Sequence, residues 1–392
     1  MEVLAPPDLS RVKRLPISCG QAWIARCAAD IPAELREAAF AGQCRDFRYY
    51  EVVEQTLARQ FEHQYLILHH ALRGEWAIQP IFFVKQDLLV GLPAKLRKTA
   101  EKLRRLWPRL LTMRMMMVGC SAGLGELDHT AEWVTPALRE AILAYQHGHG
   151  ASVTLFKDFS ASYRDHFTPL TNDGYARIPS MPCATLNLNF ATFEDFMADR
   201  LSKVFRKNLR RKFKALKSAP PVKMEVVEDV SFCVEEVYQL YLQTHRRSPM
   251  KFEELTRDYF EMLGQRMPDR VRYFLWRQEG RLIAFNLCMQ HDDVLYDMDL
   301  GLDYGVALDL HLYFVTWRDV IEWCLRNGVR TYHTGPLNYA PKAHLRMSLA
   351  PHDLYVSHRS SWMNPLFKFA TRFLEPTRHD PNLRKFPNAH EL

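Results

Sequence analysis

The order of element patterns in the second half of the chain constrains the fold most. Helix patterns at residues 234–245 and 252–267 precede two strand patterns that turn at Glu279-Gly280. A helix at 308–326 that stops at Asn327-Gly328, a strand at 329–336, a short helix at 339–347 and a strand at 352–360 follow. The first half has a similar rhythm. Because regular strand–helix alternation is missing, each half is predicted as α+β, with helices flanking a mixed, mostly antiparallel sheet.

The chain has 392 residues, and a single hydrophobic core stops growing at roughly 250–300 residues. Two domains are therefore expected, at residues 1–181 and 182–360, followed by a tail at 361–392 with an amphipathic helix pattern. The hydrophobic content of 47% and charged content of 25% are typical of globular proteins.

The segment from residue 201 to 217 carries eight basic residues and no acid. Its apolar residues recur three to five apart, which predicts an amphipathic helix with a cationic surface: Val204, Phe205, Leu209, Phe213 and Leu216. Such a helix is either a solvated surface or faces a phosphate-bearing partner. For the second case we expect Arg206, Arg210 and Arg211 to contact the phosphates, since 206 and 210 are one turn apart and 211 is adjacent.

The sequence has no apolar run long enough to span a bilayer and no signal-peptide pattern at its start. We therefore expect a bacterial-type cytoplasmic protein, with peripheral contact at the inner membrane face as an alternative. The eight cysteines are scattered without a CxxC pair, which indicates free thiols in a reducing compartment. A loop with His147 and His149 has no third ligand nearby, so no metal site is predicted.

Three ordered blocks carry a resemblance to a known family: SKVFRKNLRRKFKAL (202–216), LYDMDLGLDYGVALDLHLYF (295–314) and HTGPLNYAPKAHLRMSLAPHDLYVSHR (333–359). They are similar to the branch of the GNAT superfamily linked to cellulose biosynthesis and to Fem-type peptidyltransferases, which is built from tandem GNAT-like halves. The resemblance implies two GNAT-like halves and a GNAT-type N-acyltransferase. The Gln/Arg-x-x-Gly-x-Gly/Ala coenzyme A loop is absent from this sequence.

Acyl transfer to an amine needs a base for the amine proton and an acid for the leaving group. Asp297 and Asp299 are two apart on a strand pattern, which predicts that both point to one face and that one is the general base. The alternative is that they are rim carboxylates paired with Arg277 or Arg281. Tyr304 and Tyr313 are candidates for protonating a thiol leaving group.

Candidate binding residues lie on both sides of these tyrosines. Gly301 and Gly305 would let the backbone approach a pyrophosphate beside the start of the predicted helix 308–326. Lys342 and Arg346 are four apart on a short helix pattern and should share a face. Together with His333 they are expected to bind a carboxylate or phosphate of the acceptor.

Three functions remain open from the sequence. The first is transfer of an acyl group from a thioester, acyl-CoA or acyl carrier protein, to an amine of a cell-envelope precursor or small metabolite. The second is a Fem-type transferase that takes an aminoacyl group from charged tRNA. The third is a non-catalytic protein that binds a partner or an anionic membrane, with the basic amphipathic segments at residues 94–107 and 361–376 lying at the membrane surface.

Overall fold

The computed structural model describes residues 9, 12–87, 112–216, 219–248, 251–360, 362–371 and 376–392. The chain forms two compact units. The first unit comprises Met1–Gly42, Val53–Ser180 and His352–His379, and the second comprises Gln43–Val52, Met181–Pro351 and Asp380–Leu392. The helix predicted at residues 94–107 lies outside the described residues.

The first unit contains an eight-stranded sheet in the order β1-β2-β3-β4-β5-β6-β15-β7. The strands are β1 (Lys13–Ile17), β2 (Gly20–Ala25), β3 (Glu62–His70), β4 (Glu75–Asp87), β5 (Thr112–Val118), β6 (Val153–Ser160), β7 (Ala176–Pro179) and β15 (His352–His358). Among these pairs β5–β6 is parallel and the rest are antiparallel. The helices are α1 (Ala33–Ala38), α2 (Phe47–Leu57, which continues from the second unit), α3 (Val134–His149), α4 (Thr168–Asn172) and α11 (Asn364–Thr371).

The second unit contains a seven-stranded sheet in the order β14-β8-β13-β12-β11-β10-β9. The strands are β8 (Cys183–Asn187), β9 (Val222–Val227), β10 (Val271–Gln278), β11 (Arg281–His291), β12 (Val294–Leu302), β13 (Thr331–Thr334) and β14 (Ser348–Ala350). The helices are α5 (Phe193–Arg200), α6 (Lys203–Leu216), α7 (Val234–Arg247), α8 (Arg257–Arg266), α9 (Leu312–Arg326) and α10 (Tyr339–His344). The predicted α+β class, with two mixed, mostly antiparallel sheets flanked by helices, is confirmed.

Helices cover both faces of the second sheet. On one face, Ala284 and Cys288 of β11 belong to the same core cluster as Ile321 and Cys324 of α9. On the other face, Phe285 of β11 packs edge-on against Phe260 of α8. Neighbouring residues of β11 therefore alternate between an α9 face and an α7/α8 face, as a strand requires.

The predicted basic helix is confirmed as α6. Ser202 precedes it and its Oγ accepts a hydrogen bond from the Phe205 amide at 3.3 Å, as an N-cap residue does. Leu209 is fully buried, but Val204 is 81% exposed. The apolar stripe is therefore narrower than the spacing predicts, because Val204 lies on the solvent side of the first turn.

The end of the chain differs from the prediction. The last strand of the predicted second half, β15, pairs with β6 and β7 in the first unit's sheet. The chain then returns to the second unit, where the Asn388 side-chain amide bonds the Leu349 carbonyl at 2.9 Å and Phe386 joins the core. Residues 361–392 are thus divided between the units. None of the helices named above has the length and apolar character needed to cross a bilayer.

Candidate active site

A cleft of about 390 Å³ opens in the second unit where β12 and β13 part. The two strands pair in parallel from Val294↔Thr331 to Asp297↔Thr334. There β13 ends, while β12 continues to Leu302. Polar side chains from both sheet faces line the cleft: Tyr241, Thr244, His245, Glu253, Asn286, Asp297, Asp299, Tyr313, Thr316, Trp317, Tyr332, Thr334, Asn338 and Lys342.

A β-bulge at Met298 separates the two aspartates. Asp297 lies opposite Cys288 and Asp299 lies opposite Leu287, so two steps on β12 match one step on β11. Because Cys288 and Leu287 are adjacent on β11, their partners point to opposite faces of the sheet. The predicted shared face is therefore wrong. Both carboxylates still reach the cleft, because it passes between the parted strands and opens to both faces.

Asp297 points to the α9 face and is held by hydrogen bonds. The Tyr332 hydroxyl and the Asn286 side-chain amide donate to its carboxylate. Burial raises the pKa of Asp297, while these two hydrogen bonds and the nearby Lys342 ammonium act in the opposite direction. Asp297 is thus a positioned carboxylate beside a cation.

Asp299 points to the α7/α8 face, where no hydrogen-bond donor or cation of the described residues lowers the pKa of its carboxyl. Burial raises the pKa of its carboxyl to about 7, and the nearby carboxylates of Glu253 and Asp297 add to the rise. A carboxylate with a pKa near neutrality can take up and release a proton at physiological pH. Of the two aspartates, Asp299 is therefore the one whose carboxyl has a pKa near physiological pH.

The alternative pairing of the aspartates with Arg277 or Arg281 does not occur. Arg277 pairs with Glu225 and Glu236, and Arg281 pairs with Asp303. The charges of both arginines are therefore matched by other acids, and neither arginine pairs with the cleft carboxylates.

The predicted trio of His333, Lys342 and Arg346 is not brought together. Lys342 is buried in the cleft, where its Nζ donates to the Gly335 carbonyl and desolvation lowers its pKa to about 8. Arg346 lies beyond the end of α10 at a left-handed φ of 58° and is exposed, so it shares no helix face with Lys342. His333 faces the Tyr296 ring at a centroid distance of 5.3 Å and is outside the cleft lining.

Of the two tyrosines proposed as acids, Tyr313 lines the cleft and Tyr304 does not. Burial raises the pKa of Tyr313, with the charge of Asp297 as a further cause, so its hydroxyl keeps its proton. Tyr304 instead lies under the Arg247 guanidinium, 4.0 Å from its ring centroid.

Gly301 does not face a phosphate site. It lies inside β12, and a Cβ at this position would stand 2.1 Å from the Phe285 ring. Glycine is therefore required for packing against Phe285 beneath α7. The Gly305 amide is not available to a phosphate either, because it donates to Asp303 Oδ1 at 2.9 Å.

Several backbone amides of the loop after β12 donate to carbonyl groups of the same loop. Those of Val306 and Ala307 donate to the Asp303 carbonyl, and that of Leu310 donates to Val306. The following helix begins at Leu312, four residues later than predicted. The anion-binding backbone expected at Gly301 and Gly305 is therefore occupied by local turns.

The three arginines of α6 do not converge on one point. Arg206 donates to the Ala198 carbonyl at 3.0 Å, and Arg210 pairs with Glu194 at 2.8 Å, so both are directed towards α5. Arg211 lies on the other side, near His311 at the start of α9, where its charge contributes to lowering the pKa of that histidine. Of the three, Arg211 is the one placed beside the loop that follows β12.

The sequence analysis overlooked two polar residues of the cleft. Asn286 is buried in β11 and Trp317 is buried in α9. No motif marks either residue. The only local signal is an asparagine inside an otherwise apolar strand, which is unfavourable unless its amide has partners.

A second overlooked pair lies in the first unit. Residues 119–123 read GCSAG, and Ser121 Oγ lies 2.8 Å from His63 Nε2. Burial lowers the pKa of His63 to about 4, so the imidazole is neutral. A nucleophile elbow needs an exposed serine between a strand and a helix, but Ser121 is buried and a loop follows it. The pair is therefore structural.

Comparison with known proteins agrees with the geometry of the cleft. Residues 203–343, which contain its aspartates and Lys342, match the family model described as an acetyltransferase (GNAT) domain. This region is a GNAT-type transferase domain. No curated protein matches the chain.

Solved structures share the fold of most of the chain. The C-terminal domain of a putative lysylphosphatidylglycerol synthetase from Agrobacterium fabrum superposes with a TM-score of 0.52 at 12% identity, covering 88% of this chain and 98% of that one. FemX superposes with a TM-score of 0.51 at 10% identity, covering 81% and 93%. At these identities the likeness concerns the fold, so the substrate must be argued from the GNAT cleft itself.

Proposed function

We propose that the protein transfers an acyl group from an activated donor to a primary amine of a cell-envelope precursor or small metabolite. The observation that carries this proposal is the placement of Asp299. Its carboxyl has a pKa of about 7 and lines a cleft that opens between two parted strands of a GNAT-type domain.

The open edge of β12 supplies a donor for the oxyanion. The Asp303 amide donates to Ile283 of β11, whereas the Leu302 amide donates to Thr244 Oγ1. Amides alternate in direction along a strand, so the Leu300 amide also points away from β11, towards the gap left by β13. A reacting carbonyl in this gap would have its developing negative charge stabilised by the Leu300 N–H.

In the proposed reaction two side chains carry protons. Asp299 takes one proton from the ammonium form of the acceptor, and the free amine attacks the donor carbonyl. The carbon–sulfur bond of a thioester, or the carbon–oxygen bond of an ester, breaks as the amide forms. Tyr313, which keeps its proton because burial raises its pKa, protonates the leaving group and is reprotonated by the second proton that the nitrogen loses as the amide forms. Asp299 later releases the first proton to solvent.

A thioester, acyl-CoA or acyl carrier protein, is the donor we propose first, since GNAT-type domains are described as acetyltransferases. Charged tRNA is a second candidate, favoured by two observations. Several backbone amides of the loop after β12 donate to groups within the same loop, so they are not available to a pyrophosphate. Moreover, α6 exposes Lys203, Lys207 and Lys214, whose charges suit an RNA backbone.

Donor binding followed by turnover tests the proposal. The full chain is mixed with acetyl-CoA, longer acyl-CoAs or charged tRNA, and its melting temperature is measured. A ligand at a hundred times its Kd stabilises the native state by about 2.7 kcal/mol. Amide formation from the stabilising donor and an amine panel is then followed by mass spectrometry.

The salt dependence of donor binding identifies the donor. Binding of tRNA should weaken steeply with salt, and binding of a coenzyme should weaken only slightly. If no donor raises the melting temperature and no amide forms, the proposed function is wrong and the non-catalytic interpretation replaces it.

A further inference from the structure

Two residues that line the cleft each contain a buried polar atom with no hydrogen-bond partner among the described residues. These atoms are Asn286 Oδ1, in a residue 3% exposed, and Trp317 Nε1, in a residue 6% exposed. The first is an acceptor and the second is a donor. Leaving such an atom buried without a partner costs about 1–3 kcal/mol, so each atom calls for a partner that the described part of the chain does not supply.

Both residues belong to the α9 end of the cleft. Trp317 is part of α9, and Asn286 lies on the same face of β11 as Ala284 and Cys288, which pack against that helix. The opposite end contains the carboxylates of Asp299 and Glu253, which attract a cationic acceptor amine. With the amine at the carboxylate end, the acyl group of the donor occupies the α9 end.

The charge of the α9 end selects among acyl groups. Asp297 already has Tyr332, Asn286 and the Lys342 ammonium as its neighbours, and this ammonium repels a second cation. An acyl group with an ammonium could donate to Asn286 but could not accept from Trp317. A plain alkyl group would leave both atoms buried without partners.

We propose that this end of the cleft binds a neutral acyl chain bearing a hydroxyl or amide group, which accepts from Trp317 Nε1 and donates to Asn286 Oδ1. The inference rests on the proposed acyl transfer and adds its substrate class. A site built to bond a polar substituent discriminates strongly against an analogue that lacks it, because the site's own polar groups are then left unpaired.

The test compares four thioesters of similar size on whichever carrier the protein accepts: butanoyl, 3-hydroxybutanoyl, 3-aminobutanoyl and malonamoyl. We expect kcat/KM for the hydroxyl or amide arm to exceed that for the alkyl and amino arms by at least about tenfold. The arm that reacts faster identifies which polar group is bound.

Three variants locate the effect. Trp317→Phe and Asn286→Leu should each lower kcat/KM for the polar chain more than kcat/KM for butanoyl, so that the preference for the polar chain falls to near unity. The matched control is Trp276→Phe. Trp276 is also buried, but its Nε1 donates to Asp319 Oδ2 at 2.8 Å and it is outside the cleft lining, so this variant should keep the preference.

The outcomes separate the two proposals. Turnover of all four thioesters at equal rates would overturn this inference and leave acyl transfer intact. A polar preference that survives in Trp317→Phe would also overturn it, and that variant carries the test if Asn286→Leu does not fold. The absence of turnover with any donor would overturn both proposals.

Discussion

The Tyr332 hydroxyl of β13 donates a hydrogen bond to the carboxylate of Asp297, the last residue of β12 that pairs with β13. Tyr332 is buried, and beyond this bond the two strands separate to form the cleft. The bond therefore fastens the two strands at the point where the candidate active site begins.

Removing this hydroxyl should destabilise the second unit. In Tyr332→Phe the Asp297 carboxylate loses a donor, and a hydrogen bond to a charged group contributes about 1.5–3 kcal/mol. The bond favours the ionised form, so the folded-state pKa of Asp297 should rise further without it. The loss in the free energy of unfolding should be largest at pH 8 and smaller at pH 4, where protonation removes the charge of Asp297. Urea unfolding at both pH values measures it.

The control for that experiment is Tyr273→Phe. The Tyr273 hydroxyl donates to the Phe260 carbonyl, a neutral acceptor, at 2.6 Å. Its loss should therefore cost about 1 kcal/mol at either pH. An equal, pH-independent loss in both variants would show that the Tyr332 bond does not serve an ionised carboxylate.

The rate of acyl transfer should follow the ionisation of Asp299. With its pKa near 7, kcat/KM should rise with pH through about 7 and then level off. Asp299→Asn should lower kcat/KM about 10²–10⁴-fold and abolish that limb of the profile. Asp292→Asn, on an exposed turn, is the control and should leave the profile unchanged. If kcat/KM of Asp299→Asn still rises with pH through about 7, a different residue is the general base.

The same substitution should stabilise the protein at high pH. The folded-state pKa of Asp299 lies above its ordinary value of 3.8. Its ionisation is thus harder in the folded than in the unfolded state, and the free energy of unfolding falls as pH rises from about 4 to about 7. Asp299→Asn removes this penalty. Chemical unfolding should show a gain of at most about 4 kcal/mol at pH 8 and little change at pH 4.

A methyl group at Gly301 should disturb packing, not donor binding. In Gly301→Ala the new Cβ would stand 2.1 Å from the Phe285 ring, so the ring must move. We expect a loss of about 1–3 kcal/mol in the free energy of unfolding. Gly42→Ala is the matched control and should be near neutral, because an added Cβ there would have no atom of its surroundings within 4 Å. Weakened donor binding at unchanged stability would restore the phosphate role predicted from the sequence.

The arginines of α6 should differ in their effect on donor affinity. Arg211→Glu reverses a charge near His311 and should weaken binding of an anionic donor, with a shallower salt dependence. Arg210→Glu places its charge beside Glu194 on the α5 side and should change affinity less. Both are exposed, so melting temperatures should stay nearly constant. If the two variants bind the donor with equal affinity, α6 is a solvated surface that does not contact the donor.

Local sequence patterns determined the elements of this protein. Glu279 and Gly280 adopt left-handed φ values of 51° and 83° at the predicted hairpin turn, because a two-residue turn of that kind needs them. The length and apolar stripe of α6 follow likewise from residue spacing, with Val204 as the exception. The positions of Asp297, Asp299, Tyr313 and Lys342 in the cleft match residues that the sequence analysis selected.

Long-range pairing decided the rest, since strand register and burial depend on residues far apart in the sequence. The bulge at Met298 turns the two aspartates to opposite faces, although their spacing alone predicts one face. The transfer of β15 to the first unit's sheet and the packing of Gly301 against Phe285 are equally invisible to local patterns. The chemistry of Lys342 and Asp299 arises in the same way: only tertiary burial removes water from an ordinary lysine and an ordinary aspartate and moves both pKa values towards neutrality.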